Sequence, residues 1–295
     1  MNVDELREEM ERQGVEWEIR EEPLEAEQRL GYMPSQGAPS LEEQEEIARR
    51  LAEEAAAETK PPDYPERRDL RDDGYVTDVK DQKSCGSCVA FGSCAAVEGT
   101  FQFEQKKSDT GIDLSEAELF YCAAKEDGFG CEDGWYPKRA LSVFKAQGVP
   151  PESVFPYSPG DQDCQAPAED WQDQAVKISE WEKLLTPADI KKWISEHGPA
   201  VASLTVYEDF QHYGGGIYKH VAGRNLGGHC VCAVGYDDNE GYWIVKNSWN
   251  TGWGEDGFFR IAYGEVGIDS AMLGVQGVMQ GTGAGEKAGA AAGAG

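Results

Sequence analysis

Cys88 stands in the run Gln82-Lys83-Ser84-Cys85-Gly86-Ser87-Cys88-Val89-Ala90-Phe91, where a helix is expected to begin near Ser87. A nucleophilic thiol must ionise, must meet substrate, and needs a donor beside the developing oxyanion. The first turn of a helix helps the first requirement, because its N–H groups and dipole favour an anion. Gly86, two residues earlier, permits a sharp turn and a close approach to substrate. A base must arrive from elsewhere. Of four histidines (197, 212, 220 and 229), His229 lies behind two glycines at the mouth of an expected strand, in Gly227-Gly228-His229-Cys230-Val231-Cys232-Ala233-Val234-Gly235-Tyr236. Its other ring nitrogen needs a partner to orient it. Lys246-Asn247-Ser248-Trp249 offers a carboxamide, with an indole beside it to keep water away. The order Cys, His, Asn suits acyl transfer to a thiol.

These residues must be positioned by elements. Helices are expected from about residue 3 to 13, closed by Gly14, and from Ser40 to about Glu58, where Ser40 and Glu43 have capping-box spacing. Leu41, Ile47, Leu51 and Ala55 mark one stripe of that second helix. Lys60-Pro61-Pro62-Asp63-Tyr64-Pro65 breaks any helix and reads as an extended linker. Further helices are expected over 87–105, 115–122 and 137–147, then strands at 200–206, 230–235, 242–246 and 257–262. A helical half followed by a β-rich half predicts two lobes with a cleft between them, an α+β arrangement. Three segments follow: an acidic helical segment over 1–60, a globular domain over 61–280, and a flexible Gly/Ala tail over 281–295.

Acidic residues number 55 against 27 basic ones, a formal net charge of −28. Such a surface repels nucleic acid and anionic membranes, so neither is expected as a partner. No run approaches the roughly 18 apolar residues of a membrane span, and the first residues lack the apolar core of a secretory signal. The eight cysteines leave seven after one is assigned to catalysis. An odd remainder requires another free thiol in a monomer and leaves the compartment open. His229-Cys230-Val231-Cys232 as a zinc site is set aside, because alternate strand residues face opposite ways and a fourth ligand is missing. No metal or cofactor is expected.

Taken together these motifs resemble the papain/cathepsin family of cysteine peptidases. His229 and Asn247 follow Cys88 by 141 and 159 residues, against about 130–150 in the family; a short insertion accounts for the excess. Residues 69–82 resemble the start of a mature enzyme, Leu114-Ser115-Glu116-Ala117-Glu118-Leu119, Gly130-Cys131 and Pro156-Tyr157 its left-lobe landmarks, and 242–257 its right-lobe signature. The resemblance covers about residues 61 to 278. It implies a helical left lobe, a β-barrel-like right lobe, and a monomeric endopeptidase acting on polypeptides through a thioester at Cys88. By the same resemblance His229 is the base, Asn247 its orienter under Trp249, and Gln82 an oxyanion donor beside the Cys88 N–H. The Cys88–His229 pair would rest as thiolate and imidazolium. Disulfides Cys85–Cys131 and Cys122–Cys164 are implied, leaving Cys94, Cys230 and Cys232 unassigned.

Departures are also legible. Val89 replaces the usual aromatic after the nucleophile, Leu70 stands where Trp is usual, and Cys131-Glu132-Asp133-Gly134-Trp135-Tyr136-Pro137 keeps one of two paired glycines. The resemblance places Gly134, Trp135, Tyr136, Pro137, Gly228, Cys230 and Ala271 against substrate, with an apolar P2 side chain preferred because no acidic residue falls at the pocket base. Residues 1–60 are expected to inhibit the enzyme within the same molecule, docking through Trp17, Leu30 and Tyr32. A targeting arm is the alternative for that segment. For the whole chain the alternatives are a binding protein on the same fold, or a ligase or acyl transferase. Disulfides would fit an extracellular or other oxidising compartment, and their absence the cytoplasm.

Overall fold

The computed structural model describes residues 1–21, 30–31, 41–56, 62–165 and 171–281. The expected cap at Ser40, part of the linker, Tyr32 and the Gly/Ala tail beyond 281 fall outside them. The chain opens with α1 (Val3–Gln13), which starts where Asn2 accepts the Glu5 N–H and the Glu5 carboxylate reaches back to the Asn2 N–H. It stops at Gly14, whose φ of 65° is the left-handed conformation that closes helices. β1 (Trp17–Ile19) and α2 (Leu41–Ala56) follow, then β2 (Arg67–Asp69).

The left lobe is helical. α3 (Cys88–Gln105) is buried on nearly all sides, which explains why its sequence is rich in small and apolar residues rather than striped. It packs closely on the sheet: a Cβ at Gly92 would lie 3.0 Å from Cys230 Sγ and 3.1 Å from Val231 O. The expected helix at 115–122 takes a π-helical form over Glu118–Ala124. α4 (Pro137–Ala146) starts at a proline, which has no N–H to leave unpaired there. Cys85–Cys131 and Cys122–Cys164 are both bonded, as the resemblance implied, whereas Cys88, Cys94, Cys230 and Cys232 are free and buried. Closing loops of 46 and 42 residues restricts the unfolded chain by about 4 kcal/mol each.

The right lobe is built from β3 (Val176–Leu184), α5 (Pro187–Glu196), β4 (Ala200–Tyr207), β5 (Tyr213–Tyr218), β6 (Asn225–Asp237), β7 (Tyr242–Lys246), β8 (Phe258–Ala262) and β9 (Met272–Gln280). The sheet runs β1-β5-β8-β7-β6-β4-β9-β3, with β2 added to β6. Neighbours pair antiparallel except β5 with β8. Two apolar clusters form the core. One gathers Phe120, Trp135, Leu141 and Phe144 around α3. The other gathers Phe210, Tyr213, Tyr218, Trp249, Trp253 and Phe259 inside the sheet. The two-lobed α+β expectation holds. No helix among the described residues is long and apolar enough to cross a membrane.

Candidate active site

Cys88 is the first residue of α3, and the loop before it is pinned from several sides. The Gln82 N–H donates to Ser248 O at 3.0 Å and the Gly86 N–H to Cys131 O at 2.9 Å. The Tyr157 hydroxyl lies 2.8 Å from both Ser87 Oγ and Gln82 O. Across the interlobe boundary, His229 sits on β6 opposite Leu204 of β4. The N–H of the next residue, Cys230, donates to Cys88 Sγ at 3.4 Å, so thiol and imidazole come from adjoining backbone.

Asn247 follows the end of β7, which pairs with β6 so that Lys246 faces Cys232. His229 Nε2 lies 2.7 Å from Asn247 Oδ1. The Ser248 N–H donates to the same oxygen at 2.8 Å, and a backbone N–H can only donate, so the amide orientation is fixed. An amide oxygen only accepts; Nε2 therefore carries the proton of the neutral ring, and Nδ1 is the basic nitrogen. Nδ1 has no hydrogen-bond partner among the described residues. Trp249 stacks on the ring, centroids 4.8 Å apart, and is itself fully buried. Gln82 is fixed by its own ends: Nε2 donates to Cys85 O at 3.0 Å and Oε1 accepts from Ser248 Oγ at 2.7 Å. Ser248 and Tyr157 were in the quoted motifs, but nothing in their residue type alone assigned them to the site.

The cleft is covered. Cys88 and His229 are both 0% exposed. Gly31 lies against Cys88, its carbonyl accepting from the Trp135 N–H at 2.7 Å and its N–H turned to the Cys88 sulfur. This approach requires glycines on both sides. A Cβ on Gly31 would stand 1.8 Å from Gly86 O, and one on Gly134, at φ 78°, would stand 2.0 Å from Gly31 O. Leu30 sits beside Gly227. Burial pushes the Cys88 thiol up to about 11 against the opposing N–H groups of Cys230, Gly31 and Val89. It pushes His229 down to about 4, only partly offset by Asn247. In this covered form burial works against charge on both groups, because charge is costly where water is excluded.

A cavity of about 230 Å³ adjoins the site, and Tyr136, Pro137 and Ala271 line it as expected. Trp135, Gly228 and Cys230 do not. Trp135 gives only its backbone N–H to the cleft, while its buried indole donates to Asp127 at 3.0 Å. Gly228 pairs with Thr205 along β6, and Cys230 is buried against α3. Beside Lys138, Arg139 and Ser142 of α4, Trp181, Lys183, Val201, Ser203 and Leu273 supply the remaining depth. Their alternate spacing along β3, β4 and β9 was the available signal, but β3 and β9 were not read as strands.

A thiol at a helix start, an imidazole on the facing strand and a carboxamide locking that imidazole define the hydrolases that work through a cysteine nucleophile. The model of papain family cysteine proteases matches residues 64–276. A gut-specific cysteine proteinase of Caenorhabditis elegans is 34% identical over 222 residues, covering 66% of this chain and 67% of that protein. Two other curated relatives are spanned to only 55% and 60% of their length. The solved structure of procathepsin B S9 from Trypanosoma congolense superposes with a TM-score of 0.74 at 22% identity, over 94% of this chain and 98% of that one. A Carica candamarcensis cysteine protease in complex with E-64 matches at a TM-score of 0.60 and 32% identity, over 72% of this chain and 98% of that one. The chain belongs to the papain family of cysteine proteases.

Proposed function

We propose that this chain is a cysteine endopeptidase held inactive by its own residues 1–60, with an apolar-walled P2 site. The observation that carries the reading is the His229 ring. It is tied at Nε2 to Asn247 with Nδ1 unpartnered among the described residues, beside a thiol that lies under Gly31. With the cover displaced, His229 Nδ1 takes the Cys88 proton and the thiolate attacks a peptide carbonyl carbon. The oxyanion rests on the Cys88 N–H and on Gln82, whose carboxamide carries a second N–H besides the one given to Cys85. Collapse of the tetrahedral species breaks the C–N bond, and imidazolium returns the proton to the leaving amine. Water, deprotonated by His229, then hydrolyses the thioester. The two disulfides favour an oxidising compartment for this work.

The test uses full-length protein folded first, then cut at a protease site inserted near residue 60. Hydrolysis of a fluorogenic dipeptide and trapping by E-64 are followed before and after the cut, in wild type and Cys88→Ala. Turnover that needs Cys88 and rises on cutting supports the reading. A folded, cut protein that neither turns over nor takes E-64 would indicate a binding protein on the same fold.

A further inference from the structure

We infer that the cavity beside the active site selects an acidic substrate side chain in place of the apolar P2 residue expected from the sequence, with Lys138 as the residue that sets this preference. The inference rests on the peptidase reading and narrows its substrate class.

The cavity's position is fixed by two links to the nucleophile. Tyr136 follows Trp135, whose N–H holds the chain lying in the cleft. Ser203 faces Cys230 across β4 and β6, and the Cys230 N–H reaches Cys88 Sγ. A polypeptide held by Trp135 would therefore direct a neighbouring side chain into this space. At about 230 Å³ it accommodates a long side chain.

The lining has an unexpected sign. Acidic residues outnumber basic ones 55 to 27 in the whole chain. Yet among the described residues this cavity is lined by Lys138, Arg139 and Lys183, with no aspartate or glutamate. Arg139 is answered by Asp127, at 2.6 and 2.9 Å. Lys138, half-buried on the first turn of α4, makes no ion pair or side-chain hydrogen bond among the described residues. Pro137, Val201, Ala271 and Leu273 give apolar walls for the stem of an entering side chain. A carboxylate at its end would meet the Lys138 ammonium, whereas an arginine or lysine there would be repelled. The surrounding acidic surface keeps this preference local: acidic segments are disfavoured at long range and gain only once seated. Glutamate, long enough to pass the walls, is the matched residue.

Peptide reporters differing only at P2 (Leu, Gln, Glu, Arg) test this on protein folded whole and then cut near residue 60. Rates are normalised to thiol titrated by E-64, so misfolded material does not count. The Glu/Gln pair isolates charge from size. Wild type should favour Glu over Gln by about tenfold in kcat/KM, equivalent to about 1.4 kcal/mol. High salt should shrink that ratio. Lys138→Gln should bring it near one, and Lys138→Glu should turn the preference toward Arg. If Gln matches or exceeds Glu while the Leu reporter is cleaved, the acidic preference is overturned and the peptidase reading stands. If no reporter is cleaved and E-64 leaves Cys88 unlabelled, both fall.

Discussion

The covered thiol and imidazole have a measurable signature. At neutral pH, with burial holding Cys88 near 11 and His229 near 4, the thiol keeps its proton and the ring lacks one. Thiolate therefore forms in the full-length chain only as pH rises toward 11. Exposing the cleft removes the desolvation that separates the two groups, and thiolate should then form at pH 7. Iodoacetamide should alkylate Cys88 slowly in full-length protein at pH 7, faster with rising pH, and at least tenfold faster after the segment is cut away. Peptide mass mapping reads this directly; equal rates before and after cutting would show that Gly31 does not govern the thiol. The identities of Cys88, His229 and Asn247 were legible in the sequence because their chemistry fixes residue type, order and neighbours. The direction of their pKa shifts was not, because it depends on how completely the fold buries them, which no local pattern records. The displacement of Trp135 from the pocket was hidden for a similar reason: its indole turns to Asp127 and leaves only its backbone N–H to the cleft.

At the scale of elements, the cover is anchored far from the thiol. α1 buries Leu6 and Met10, and β1 extends the sheet by pairing Trp17 with Gly216 and Glu18 with Gly215. Trp17 packs on Tyr213 and Tyr218, and its indole N–H donates to Lys219 O at 3.1 Å. The strand is three residues long and exists only through an edge about 200 residues away, so no local pattern announces it. α1 was legible because its cap and stop are local. Truncating a buried Trp costs about 3 kcal/mol or more, a shift of about 100-fold in an opening equilibrium. Trp17→Ala should therefore raise the basal peptidase rate of the uncut chain by up to that factor, limited by the rate of the cut enzyme. The cut enzyme should be unaffected, since Trp17 has then left. An unchanged basal rate would mean that β1 is not the anchor of the cover.

Across the whole molecule, the two lobes are joined by a partly buried chain of charge. Lys80 Nζ reaches Glu98 at 3.2 Å, Asp113 at 2.7 Å and Glu116 at 2.7 Å. Glu98 accepts from Thr77 Oγ1 at 2.5 Å, and Thr77 accepts from buried Lys246 of β7 at 3.0 Å. Two lobes and an α+β class were legible from periodicity, but this seam was not, since buried and exposed lysines look alike in sequence. Burial alone would lower Lys80, but Glu98 and Glu116 outweigh it and hold the ammonium above its ordinary value. The lysine thus stays charged up to its usual range, and its contribution follows how far its carboxylate partners are ionised. Glu116 is raised by burial, with Lys80 pulling the other way. Lys80→Met would remove that pull and leave carboxylates buried without their cation, at a cost of about 3–5 kcal/mol. That cost belongs to ionised carboxylates, and Glu116, raised to about 8, ionises within the fold only as pH passes that value. The deficit should therefore grow from pH 7 to pH 9 and close below about pH 4, where the carboxyls are protonated in the unfolded chain too. Urea denaturation of both proteins at pH 9 and pH 4 checks the sign. An equal deficit at both would trace the loss to packing of the lysine stem, and the seam would then join the lobes by shape and not by charge.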